Sequence, residues 1–99
     1  MVSKNEARRY LCDVAPEQCF WVNNGPILKN VEELANTLPG ISDDIFQHHV
    51  NSEKNDFSNW IRDVVGDQKL ANDLLSSKNK YLLASFLLTI LYHLHQYLD

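Results

Sequence analysis

The side chains of this 99-residue chain that could do chemistry are few: four histidines, thirteen carboxylates and two cysteines. Their densest grouping is His48-His49, with Asp43 and Asp44 about one helical turn earlier and Asp56 and Asp63 further on. Imidazole and carboxylate together are the ligand types of a hydrolytic metal site. Spacing argues against a simple version of it. Adjacent residues on a helix point about 100° apart, so His48 and His49 cannot both approach one ion comfortably. His48, His49 and Asp56 are carried forward as metal candidates, beside the plainer reading that His49 packs in an apolar stripe and His48 faces solvent. His93 and His95 diverge by about 200° around a helix and read as polar punctuation. Cys12 and Cys19, with six residues between them, make neither a disulfide framework nor a usual tetrahedral ligand pair, and free thiols are expected. No phosphate-cradling glycine loop, nucleotide fingerprint, metalloprotease motif or Ser/His/Asp arrangement is present. No catalytic residue and no cofactor is expected.

The elements that must position these groups are short helices. Phe57, Trp60, Ile61 and Val64 fall on one helical stripe. Asn55 is placed to cap it, Asp56 sits at its positive end, and Gly66 can close it in the left-handed conformation. Ser42 caps a segment in which Ile45, Phe46, His49 and Val50 share a face. Ser3 and Glu6 form a capping-box pattern ahead of Ala7, Tyr10, Leu11 and Val14. Asn30 and Glu33 repeat that logic ahead of Val31, Leu34, Ala35 and Leu38. Leu70, Ala71, Leu74 and Leu75 make a further stripe. Between the first two helices, Phe20-Trp-Val-Asn-Asn-Gly-Pro-Ile-Leu28 reads as two extended arms around a turn, with Trp21 turned away from its neighbours. The patterns predict a mainly α, compact bundle of about six helices (about 4–14, 31–38, 43–50, 56–65, 68–76 and 79–98). A hairpin-like segment lies at 19–28, and residues 1–99 form one domain.

Composition narrows the partners. Residues 31–75 carry nine carboxylates against three Lys or Arg, so this middle stretch disfavours nucleic acid, whose phosphates need clustered cations. The start, Met-Val-Ser-Lys-Asn-Glu, has no hydrophobic signal region, and together with the free thiols this leads to the expectation of a cytoplasmic protein.

The last segment differs from the rest. From Tyr81 to Leu98 there is no Lys, Arg, Asp or Glu in eighteen residues, and the leucines cover more than one helical face. Such a helix is buried in a core, an interface or a membrane. Ser85, Thr89, His93, His95 and Gln96 make it a poor bilayer span. Five short helices cannot wrap it on all sides, which leaves a surplus apolar face.

Residues 20–75 resemble a small helical domain family of unknown function found in archaeal and bacterial proteins. The resemblance rests on Phe20-Trp-Val-Asn-Asn-Gly25, Asn30-Val-Glu-Glu-Leu34, Phe46-Gln-His-His-Val-Asn51, Asn55-Asp-Phe-Ser-Asn-Trp-Ile-Arg-Asp-Val64 and Gly66-Asp-Gln-Lys-Leu-Ala71. It implies a fold and assigns no activity. The terminal helices lie outside the shared part. Three functional readings follow. The leading one is a non-enzymatic interaction module that self-associates, or takes a partner helix, through Phe86, Leu87, Ile90, Leu91, Leu94 and Tyr97. The others are a small metal-dependent hydrolase around His48, His49 and nearby acids, and a peripheral membrane adaptor.

Overall fold

A computed structural model describes residues 3–98; Met1, Val2 and Asp99, which the one-domain reading includes, lie outside the described residues. Among the described residues six α-helices and one small hairpin follow one another: α1 (Lys4–Leu11), β1 (Phe20–Trp21), β2 (Ile27–Leu28), α2 (Val31–Thr37), α3 (Asp43–His49), α4 (Asp56–Trp60), α5 (Gln68–Asp73) and α6 (Lys80–Gln96). The mainly helical class and the hairpin agree with the sequence reading.

Local chemistry sets most of the boundaries. At the start of α1 the Glu6 N–H donates to Ser3 Oγ at 3.1 Å while the Ser3 N–H donates to Glu6 Oε1 at 3.3 Å, closing the capping box. Asn30, Ser42, Asn55, Asp67 and Asn79 each accept from the first turn of the helix they precede. Helix α1 ends at Leu11 rather than at 14 because the chain is used elsewhere: the Val14 N–H donates to the Lys29 carbonyl at 2.8 Å. Pro16 further disfavours helix at Ala15 and opens a 3₁₀ turn, Pro16–Gln18.

The hairpin pairs Phe20 with Leu28 and Trp21 with Ile27, antiparallel. Its turn is closed by the Gly25 N–H on the Val22 carbonyl at 2.9 Å, with Asn24 at φ 55°. Phe20 and Val22 are buried and Trp21 is exposed, as the alternation predicts.

Helix α4 does not run on as a regular helix. Residues Ile61–Val65 form a π-helical turn, which ends on Gly66 at φ 89°. A π turn takes up an extra residue, so the stripe slips by one position. Val65 is therefore buried and Val64 only half-buried, whereas regular spacing points to Val64. The predicted helices 31–38 and 68–76 likewise finish in 3₁₀ turns, Leu38–Gly40 and Leu74–Ser76.

One contiguous apolar core results, built around Phe57, Leu34, Leu38, Ile61, Leu74, Leu83 and Leu87. Helix α6 crosses it, packing chiefly on α2 and the 38–40 turn and then on α1 and α5. Its 17 residues make a rod of about 25 Å, close to the full 28 Å of the molecule's middle dimension. Trp60 holds the other end together by donating its indole N–H to the Gln18 carbonyl at 2.8 Å.

Candidate functional site

Two places gather the residues singled out above: the joint around His49 and the outer face of α6.

His49 is buried at the end of α3, and its ring touches Phe20 and Phe57. Both ring nitrogens are engaged. The Asn23 backbone N–H donates to Nε2 at 3.0 Å, which requires a lone pair there and places the ring proton on Nδ1. Nδ1–H then donates to Asp56 Oδ2 at 2.9 Å, and Lys54 Nζ meets the same oxygen at 2.9 Å. Burial pushes the Asp56 carboxyl up, but the hydrogen bonds from His49 and Lys54 outweigh it and hold the group below the ordinary aspartate range. The structure therefore brings His49 and Asp56 together, as the metal candidacy required. It does so in a way that leaves His49 no free nitrogen for an ion. His48 is exposed, with its ring edge-on to that of His49 at 89°. Among the described residues, no group of three or more His, Cys, Asp or Glu side chains is placed to hold a metal ion. Cys12 and Cys19 are both free, Cys12 at the surface.

Helix α6 starts where Asn79 Oδ1 accepts from the Tyr81 and Leu82 N–H groups at 2.9 and 3.1 Å. Lys80 is drawn inward, donating to the Ile41 carbonyl and pairing with Asp43. The helix then buries Leu83, Ala84, Leu87, Leu91 and Leu94, a stripe facing α2 and the core, with Ile90 half-buried at its edge. This corrects part of the sequence reading. Leu87, Leu91 and Leu94, expected as interface anchors, are core residues; Phe86 and Tyr97 are exposed as expected, and Ile90 lies between. The reason is physical: in a run where leucines cover more than one face, apolar spacing alone does not say which stripe the rest of the chain covers.

The outward side of α6 carries four large apolar residues besides Phe86 and Tyr97 that were not among the expected anchors. Of the nine large apolar side chains exposed among the described residues, six belong to α6 and its cap: Tyr81, Leu82, Phe86, Leu88, Tyr92 and Tyr97. Tyr81 and Tyr92 are the most open, at 61% and 65%. Ser85, Thr89, His93 and Gln96 run between them and are all exposed. Those four polar residues were the available signal, because they mark the direction that faces water. Tyr81, Ser85, Leu88 and Tyr92 follow one another at steps of four, three and four, the spacing of a helix-pairing seam. With Pro39, Ala84 and Thr89 they line a shallow groove of about 480 Å³. On the other side of α6, a concavity of about 550 Å³ runs toward α1 and α5, with Tyr10, Leu70, Ile90 and Tyr97 in its walls. Among the described residues no helix is long and apolar enough to cross a membrane.

Neither a family model, a curated protein nor a solved structure matches this chain.

Proposed function

We propose that the protein is a non-enzymatic interaction module whose working surface is the outer face of α6, and that its first partner is a second copy of itself. The observation that carries this is the concentration of exposed large apolar side chains on the outward half of one helix, which has no charged residue from Tyr81 to Leu98. Soluble monomers seldom leave so many large apolar side chains open on one element without a use for them. The six side chains expose on the order of 600 Å² together, given about 150–250 Å² for each fully exposed aromatic. About half of it belongs to Tyr81, Leu88 and Tyr92 on the pairing seam, so the roughly 800 Å² per partner of a specific dimer would also draw on Pro39, Ser85 and Thr89 beside them.

The face is also complementary to itself. With two copies of α6 antiparallel and the two-fold axis between Phe86 and Leu87, Tyr81 lies opposite Tyr92 of the second copy, Ser85 opposite Leu88, and Ala84 opposite Thr89. Small residues then meet larger ones at the centre, and the aromatics meet at the ends. Such an isologous contact closes as a dimer. Residues 20–75 would serve as the scaffold that holds α6 in place. A lipid surface is less favoured as partner: an interfacial helix usually carries Lys or Arg on its polar face, and this one has no cation from Tyr81 to Leu98. The joint at His49 supports a structural role over a hydrolytic one.

The test is sedimentation velocity on wild-type protein and on the double variant Leu88→Asp/Tyr92→Asp. The wild type is expected as a dimer and the variant as a monomer with an unchanged helical circular-dichroism spectrum. A variant that sediments as the wild type does would refute the assignment of this face.

A further inference from the structure

A concavity of about 350 Å³ opens between the 51–55 turn, the π-helical turn after α4 and the loop leading into α6. Its lining breaks the charge pattern of the chain. Residues 31–75 hold nine carboxylates and only three cations, yet two of those cations, Lys54 and Arg62, line this one concavity. Lys78 joins them from the following loop, and Glu53 is the single acid in the wall. The cations thus come from three separate segments, Lys54 and Arg62 with their charged ends on Asp56 and Asp63 beside the hollow.

We infer that this concavity binds a phosphate group carried on a small organic molecule. The donors suit a phosphate. Lys54 spends one contact on Asp56 at 2.9 Å, and Arg62 meets Asp63 through Nε and Nη2 at 2.8 and 3.1 Å. An ammonium has three N–H donors and a guanidinium five, so both keep donors to offer. Lys78 has no carboxylate partner among the described residues. Asn59 and Ser52 add an amide and a hydroxyl to the same wall. A dianion accepting several charge-assisted hydrogen bonds competes well with single carboxylates already in place. The volume falls within the range of small-molecule sites. Leu75, 62% exposed, gives an organic body an apolar wall to rest on. Three cations along the wall of one hollow fit one phosphate group; a nucleic-acid backbone would call for a stripe of them. None of the lining residues belongs to α6, so this site stands apart from the proposed dimer face.

The probe is phenyl phosphate, titrated against ¹⁵N-labelled full chain at about 150 mM salt, where weak surface attraction is screened. Inorganic phosphate and benzyl alcohol are titrated separately. Phenyl phosphate is expected to shift the amides of Ser52, Asn59 and Lys78 saturably, inorganic phosphate to shift the same amides more weakly, and benzyl alcohol to leave them unmoved. Lys78→Gln and Arg62→Gln should each weaken binding by about tenfold, whereas Lys69→Gln, an exposed cation outside the hollow, should not. Three results would overturn the inference: no saturable shift up to about 20 mM phenyl phosphate, a benzyl alcohol response equal to that of phenyl phosphate, or equal weakening by Lys69→Gln and Lys78→Gln.

Discussion

At the scale of single residues, His49 acts as a joint. Its two ring nitrogens tie the hairpin, through Asn23, to the start of α4, through Asp56, and the second tie is shared with Lys54. Because the Asp56 carboxyl is held below its ordinary value in the folded chain, the contact contributes stability above about pH 4 and loses it as pH falls through the lower, folded value. Asp56→Asn should therefore lower the thermal midpoint at pH 7, and the gap to wild type should close in acid. A gap that stays constant from pH 7 to about pH 2 would contradict this. Trp60 is the other residue that spans distant parts of the chain. It is buried, and its indole N–H bonds to Gln18, 42 positions away. Trp60→Ala should cost about 3–5 kcal/mol, readable by urea denaturation; a loss under about 1 kcal/mol would mean that the indole contributes little to packing. The buried place of His49 and Trp60 was legible from their stripes. Asp56 was at least grouped with His49 in the sequence; the backbone partners were not legible, because Asn23 and Gln18 lie far away in sequence and offer groups that carry no residue-specific signal.

At the scale of elements, caps were the most readable feature and helix interiors the least. Ser3, Asn30, Ser42 and Asn55 all cap where their side-chain chemistry predicts. Gly66 takes the left-handed conformation expected of it, at φ 89°, and its Cβ-less face leaves room beside Arg9. Gly66→Ala should destabilise by about 1 kcal/mol through backbone strain alone. An unchanged thermal midpoint would show that the π turn can relax. The slip from Val64 to Val65 was not legible, since a π turn depends on how the helix meets its neighbours and not on spacing. Helix α6 shows the same limit more sharply. Leu87 and Leu88 are adjacent and chemically identical, yet one is fully buried and the other about half exposed, at 0% and 49%. Leu87→Asp should unfold the chain, because an unpaired charge would enter the core. Leu88→Asp should keep the fold and alter only assembly. Circular dichroism on the two single variants separates them, and equal loss of helix in both would contradict the assignment of faces.

At the scale of the whole molecule, the chain divides its labour by charge. The acidic, well-capped middle folds around one core and needs no help from α6's outer side. The uncharged end closes that core with one stripe and leaves another open. Leucine periodicity made the surplus visible in the sequence, and the fold was needed to say which side of the helix it occupies. Self-association is the simplest use of that surplus, and the measurement that tests it most directly is the mass of the wild-type protein in solution. Size-exclusion chromatography with light scattering at tens of micromolar, roughly where a dimer of about −8 kcal/mol is well populated, reads it without labels or variants. Self-association through α6 predicts twice the 11.4 kDa chain mass, falling toward the single-chain value on dilution. A mass of 11.4 kDa throughout would contradict it.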